Sequence, residues 1–257
     1  SSDTGESATD NLTNDSTPSI SSSNLESGSI MKLYSISSGA VTTQIAVDTV
    51  DTGKSEITLT PSTTISDDTY SFYTVSQDTA GNQVSSDKLD NVKIETVLPT
   101  ASIVPADSLV RKEDSPLSIS VTFNDGMVTS PNIAVDFAGA NDLAATSMAN
   151  TTNDSIWTYA LTIPDGNDGT ATISISGTDN AGNALTDANT SDRTILRVDN
   201  TNPVFTLLSP DSNSYVNHAK VGYKLSETSF SGNVTWERIG GTVDANSPHI
   251  ATLTASE

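Results

Sequence analysis

Cysteine is absent from all 257 residues. Disulfides and thiolate metal sites are therefore excluded. Histidine occurs only at His218 and His249, too few and too distant for a zinc triad. Aromatics make up 5% and hydrophobics 34% of the chain, which argues against one large core and for two or three small domains. No run approaches the roughly 18 apolar residues that a membrane-spanning helix needs, so no direct membrane insertion is expected. Basic residues are also short, 11 against 32 acidic, for a formal charge of −21. A field of that sign repels nucleic acid and anionic membrane surfaces alike. No export leader is visible at Ser1-Ser2-Asp3-Thr4, and the opening reads as an excerpt from something longer.

Ser, Thr, Asp and Asn are abundant, and strong helix formers are scarce. That mix suits many short strands joined by polar turns. One five-residue phrase is written twice, about a hundred residues apart. Asp78-Thr79-Ala80-Gly81-Asn82 follows the alternating run Tyr70–Ser76, and Asp179-Asn180-Ala181-Gly182-Asn183 follows Ala171–Gly177. Each is followed by a proline-bearing linker, Ile94-Glu95-Thr96-Val97-Leu98-Pro99 and Val198-Asp199-Asn200-Thr201-Asn202-Pro203. A loop and a linker repeated together mark a tandem array.

The chain divides on these marks. Residues 1–16, polar throughout, read as a flexible Ser/Thr/Asp-rich lead-in. Residues 17–97 form a first domain, with strands expected at 28–35, 43–50, 56–61, 69–77 and 91–96; Ile45 and Val47 are read as alternating, half-buried positions. Residues 98–200 form a second, in which Leu117/Ile119/Val121/Phe123, Ile133/Val135/Phe137, Trp157/Tyr159/Leu161/Ile163 and Ala171/Ile173/Ile175 each mark one face of a strand. Strands at 100–104 and 194–198 bring the count to about seven, as in a two-sheet sandwich, with Trp157 in its core. Residues 201–257 begin a third domain. There Val221, Tyr223 and Leu225 parallel Val121 and Phe123, and Glu227 falls where Asp125 fell. It stops before any second loop, so it reads as truncated. The expected fold class is all-β: tandem two-sheet sandwiches of about seven antiparallel strands in an elongated array.

Asp-x-Ala-Gly-Asn, a strand, and then Val-Asp-x-Thr-x-Pro resemble the bacterial immunoglobulin-like repeats of large surface proteins and adhesins. The second domain carries the resemblance best, through Phe123–Gly126, Asp179–Asn183 and Val198–Pro203. The first departs where Glu95 stands for the usual Asp. The resemblance implies an exported protein, extracellular or at the cell surface, whose partners are neighbouring repeats of the same chain and a cell-surface, matrix or glycan target. It also implies Ca²⁺ at domain junctions, since several resembling arrays bind it there.

Strand order locates such a site. In an immunoglobulin-type sandwich the B–C and F–G loops share the pole at which the preceding linker enters. Glu95, Asp125, Asp179 and Asn183 then converge on the first junction. Asp199, Asn200 and Glu227 stand at the corresponding places of the next. Ca²⁺ takes six to eight oxygens at about 2.3–2.6 Å, a demand that carboxylates and carbonyls meet. The competing reading is a plain hairpin loop, because Asp and Asn bond nearby backbone amides and Gly allows positive φ.

Catalytic signals are weaker. Asp-Thr-Gly at Asp3 and Asp51 echoes aspartic proteases, but neither copy lies in a run suited to pairing two carboxylates. Gly53-Lys54-Ser55 lacks the first glycine of a phosphate loop, the position being Asp48. The chain reads as non-catalytic. Two functions compete: a stalk or spacer stiffened at its junctions, and a carbohydrate- or other ligand-binding module accessory to a secreted hydrolase. A flat exposed cluster among Tyr34, Tyr73, Tyr215, Phe230 and Trp236 would favour the second.

Overall fold

Period-two alternation becomes strand at nearly every place the sequence marks it. The computed structural model describes residues 9–151, 153–186, 190–191, 195–217, 220–227 and 231–254. The chain divides into two units, Ser1–Asp199 and Asn200–Glu257. The first unit holds two separate hydrophobic cores, one for each of the first two sandwiches.

The first sandwich comprises β1 (Leu12–Thr13), β2 (Ile20–Ser23), β3 (Ile30–Ile36), β4 (Thr42–Thr49), β5 (Glu56–Leu59), β6 (Asp68–Gln77), β7 (Gln83–Ser85) and β8 (Leu89–Ile94). One sheet runs β1-β8-β6-β3-β4, with β7 folded back on β6, and β2 pairs with β5 in the other. Met31, Leu33, Phe72 and Ile94 fill the space between them. Two expectations need correction. The lead-in does not extend to residue 16: β1 lies parallel to β8, Thr13 is buried, and the Ser16 carbonyl accepts the Ile65 N–H. A strand of only two residues, Leu12 and Thr13, is too short to show an alternating pattern, and its parallel backbone pairing to β8 is what ties it in. Residues 1–8 lie outside the described residues. Val47, expected to be half-buried, is 54% exposed, because β4 is an edge strand whose register shifts opposite Leu33 and Tyr34.

The second sandwich comprises β9 (Ala101–Pro105), β10 (Leu109–Val110), β11 (Leu117–Phe123), β12 (Asn132–Asp136), β13 (Leu143–Ser147), β14 (Ala149–Asn150), β15 (Ile156–Leu161), β16 (Gly169–Ser176), β17 (Thr190–Ser191) and β18 (Ile195–Val198). The two sheets run β14-β15-β11-β9-β17 and β10-β18-β16-β12-β13. This is immunoglobulin-type pairing. The first strand splits, β9 joining one sheet and β10 the other. Ile119, Val121, Ile133, Val135, Leu161, Ile173 and Leu196 are essentially inaccessible between the sheets. Trp157 is buried as expected, and its indole N–H donates to the Asp154 carbonyl at 2.8 Å. Seven strands are longer than two residues, the six marked in the sequence and β13; β10, β14 and β17, two residues each, are additional.

The second unit contains β19 (Phe205–Ser209), β20 (Gly222–Leu225), β21 (Ser231–Trp236) and β22 (His249–Thr254), in two antiparallel pairs. Its first pair repeats the second sandwich: Phe205 lies opposite Leu225 as Ala101 lies opposite Phe123. Among its described residues none is a buried hydrophobic, and Phe205 and Ile250 are well exposed. His218 and Phe230, both singled out in the sequence, lie outside the described residues.

Candidate metal centre

The Asp-x-Ala-Gly-Asn loop folds on itself in the same way both times. In the first sandwich the Asp78 N–H donates to the Asn82 carbonyl (3.0 Å) and the Gly81 N–H to the Asp78 carbonyl (3.1 Å). The Asn82 N–H donates to Asp78 Oδ1 (2.8 Å), and Asn82 Nδ2 to Asp78 Oδ2 (2.7 Å). In the second, Asp179, Gly182 and Asn183 repeat these four bonds at 3.0, 3.0, 2.8 and 3.0 Å. Glycine is required at the fourth position because φ is +96° at Gly81 and +94° at Gly182. The hairpin reading is therefore correct as far as it goes. The loop is a self-sufficient turn, and the Asn82 amide holds the Asp78 carboxyl below its usual range.

What differs is the surroundings. Asp78 stands near solvent and Asn82 is exposed, whereas Asp179 is 0% exposed and Asn183 is buried. Two segments cover the second loop. The first follows β11: the Asn180 N–H donates to the Gly126 carbonyl (3.1 Å), the Val128 N–H to the Thr178 carbonyl (3.1 Å), and Met127 bridges Asp179. A Cβ at Gly126 would stand 2.7 Å from Asn180 Nδ2, so any larger residue there has to displace the Asn180 side chain. The second segment is the linker. The parallel β1–β8 pairing aims it: the Glu95 N–H donates to the Thr13 carbonyl at 2.9 Å. Asn183 Nδ2 then donates to the Glu95 carbonyl at 3.0 Å and lies 3.4 Å from Glu95 Oε2.

Glu95, Asp125 and Asp179 each bring a carboxylate oxygen within 4.8 Å of the others. Two oxygens on one Ca²⁺ at about 2.3–2.6 Å stand at most roughly 5 Å apart, so the spacing is of the order that such an ion requires. Some lone pairs are already used. Asp179 Oδ1 accepts the Ala181 and Asn183 N–H groups, Asp125 Oδ1 the Gly126 N–H, and Glu95 Oε1 the Val97 N–H. Among the described residues no Lys or Arg forms an ion pair with any of the three. Burial pushes the Glu95 carboxyl above its usual range, and the Asp179 and Asp125 charges add to that, against the Val97 N–H and Lys93. A divalent cation would relieve that repulsion.

Of the first predicted set, then, Glu95, Asp125 and Asp179 come together as carboxylates, while Asn183 meets them through its amide nitrogen. The second set is divided between the two units: Asp199 ends the first, and Asn200 and Glu227 belong to the other. Asp199 and Glu227 hold their repeat positions locally. The Asp199 N–H donates to the Val110 carbonyl (3.0 Å) as Glu95 does to Thr13. The Val204 N–H donates to Ser226 Oγ (2.9 Å) as the Thr100 N–H does to Asn124 Oδ1 (2.6 Å), which puts Glu227 at the place of Asp125. Sequence reasoning missed Asn180 and Gly126, which join the two loops. The Asp-Gly turn was visible, but the contact it makes is tertiary.

Among the described residues, the aromatic pairs include no cluster of three or more rings. Tyr34 and Tyr73 stack face to face on adjacent strands, centroids 5.1 Å apart and 12° from parallel, so each covers a face of the other. Tyr215 is fully exposed and enters none of the ring pairs among the described residues.

Paired sheets with this strand order define the first two sandwiches as immunoglobulin-like domains. Residues 1–96 match the family model described as a bacterial Ig-like domain, so the resemblance read from the sequence is shown for that span. No curated protein sequence matches the chain. Among solved structures, the chain is similar to a tetra-tandem repeat in the extending region of a large adhesion protein (20% identity, 74% of this chain and 48% of that one, TM-score 0.35). It is also similar to the fibronectin(III)-like modules of Clostridium thermocellum CbhA (17% identity, 73% and 86%, TM-score 0.32) and to the FN1–FN3 domains of chicken CNTN1 (9%, 96% and 83%, TM-score 0.31). The chain thus spans about half the length of the adhesion-protein repeat structure. No described helix is long and apolar enough to cross a membrane.

Proposed function

We propose that this chain is a non-catalytic stalk segment of an exported bacterial surface protein or adhesin, and that Ca²⁺ bound by Glu95, Asp125 and Asp179 stiffens the junction between its first two sandwiches. The observation that carries the reading is the meeting of three carboxylates from the linker and two loops within 4.8 Å, one of them fully buried, with no cationic side chain paired to them among the described residues. The residues supply oxygen ligands and negative charge. The ion would supply the compensating charge and tie the linker to the second sandwich. The short, proline-bearing linker acts in the same direction by limiting bending. Asp199, Asn200 and Glu227 would serve the following junction in the same way. The partners are adjacent repeats of the same chain and a cell-surface, matrix or glycan target bound elsewhere on the parent protein. Its place is extracellular or at the cell surface.

Isothermal titration of the full chain with CaCl₂ tests the ion. A saturable heat that Mg²⁺ does not reproduce supports it; no heat up to millimolar Ca²⁺ overturns it. Small-angle scattering of the same samples tests the stalk: a maximum dimension well above that of a globule of equal mass is expected. The carbohydrate-binding alternative has less behind it: Tyr34 and Tyr73 stack on each other, and the exposed Tyr215 enters none of the ring pairs among the described residues.

A further inference from the structure

We propose that Asn183 is a positioning residue, a clamp that fastens the inter-domain linker through its side-chain amide whether or not a cation is bound. The inference rests on reading this region as the junction of two sandwiches, and it gives Asn183 a role other than metal ligand.

The atoms around its amide decide the orientation. The Glu95 carbonyl (3.0 Å), Asp179 Oδ2 (3.0 Å) and Glu95 Oε2 (3.4 Å) surround one end of the group, and all three are acceptors. Turned the other way, Asn183 would set a fourth oxygen against them. The nitrogen therefore faces them, because it is the end of the amide that carries protons. One proton holds the Asp179 carboxylate within its own loop. The other reaches a carbonyl 88 positions earlier in sequence, in a different domain.

The first sandwich contains the control. Asn82 makes the same bonds within its loop, and its Nδ2 donates to Asp78 at 2.7 Å. Among the described residues that amide reaches no linker. The intra-loop bonds therefore belong to the turn, and the bond to the Glu95 carbonyl is what the junction adds. A peptide carbonyl has the same acceptor in every sequence. The clamp therefore tolerates either Glu or Asp at the linker position and constrains the backbone path there. A part-buried hydrogen bond of this kind adds little net stability, and its consequence is geometric.

Two measurements on the full chain in EDTA test the clamp independently of any ion. First, hydrogen exchange of the side-chain amides should be at least tenfold slower at Asn183 than at Asn82; equal rates overturn the proposal. Second, residual dipolar couplings of the wild type should fit one alignment tensor across residues 9–199. Asn183→Asp, which keeps size and the backbone bonds of the loop but loses the donor, should need a separate tensor for each sandwich, as should Asn183→Ala. Asn82→Asp should not. A shared tensor in Asn183→Asp, or separate tensors in the wild type, overturns the clamp. Ca²⁺ titration of the wild type stands apart: absence of binding would end the cation reading and leave the clamp to these two results.

Discussion

Asn183 and Glu95 lie 88 positions apart and meet through a 3.0 Å hydrogen bond from a side-chain amide to a backbone carbonyl. Around that bond three carboxylates gather, and the behaviour of the junction follows from how their charge is compensated.

Removing one carboxylate should remove the response to Ca²⁺. At a free concentration about 100 times Kd, an ion bound only by the folded state stabilises it by about 2.7 kcal/mol. For a chain of this size that is a rise in Tm of roughly 5–10 °C. Asp179→Asn should abolish both the rise and the heat of binding, and Asp78→Asn should leave both intact. Differential scanning calorimetry with and without CaCl₂ reads the outcome.

Acidity should act in the opposite sense to the usual carboxylate. The Glu95 carboxyl is raised above its ordinary value near 4.5 in the folded protein. Its contribution is therefore fully present below that value and is lost as pH rises through the raised one. In EDTA, Glu95→Gln should gain stability over the wild type as pH climbs from about 4 to 7. In saturating Ca²⁺ the order should reverse at pH 7, because a ligand is gone. Urea melts of both proteins across that range supply the comparison; a difference that does not change with pH contradicts it.

Gly126 should resist substitution. A Cβ there meets Asn180 Nδ2 at 2.7 Å and Asp154 Oδ2 at 3.2 Å, and both side chains would have to move. Gly126→Val should cost about 1–3 kcal/mol through overpacking. It should also separate the two loops and weaken Ca²⁺ binding. Urea denaturation and calcium titration of one sample measure both effects.

Trp157 packs in the second core at 5% exposure. Trp157→Ala should cost about 3–5 kcal/mol by loss of buried surface and creation of a cavity. Since the first sandwich has a core of its own, its amide signals should persist in conditions where those of the second are lost. Simultaneous loss of both sets would mean that the two sandwiches unfold as one.

The strands with clear alternation are legible in the residues alone, because burying one face of a sheet writes a period of two directly into the chain. Leu117 to Phe123 and Ala171 to Ile175 are cases of this. β1, β2 and β13 are not legible in that way. β1 is tied in through its backbone, and β2 and β13 carry mostly Ser, Ala and Thr. The candidate site divides in the same manner. Repetition named Asp179 and Asn183, and strand order brought Glu95 and Asp125 to them.

By itself, the sequence determined the all-β class, the alternating strands and the loop that closes on its own hydrogen bonds, all of them local or periodic properties. Tertiary structure alone decided that one copy of the loop is buried and the other exposed. The turn at Asp78 and the turn at Asp179 have the same internal geometry, and their difference lies in what packs against them. That depends on the close approach at Gly126, on the register of β1 beside β8, and on which end of the Asn183 amide faces three oxygens. None of these is a property of the five residues that repeat.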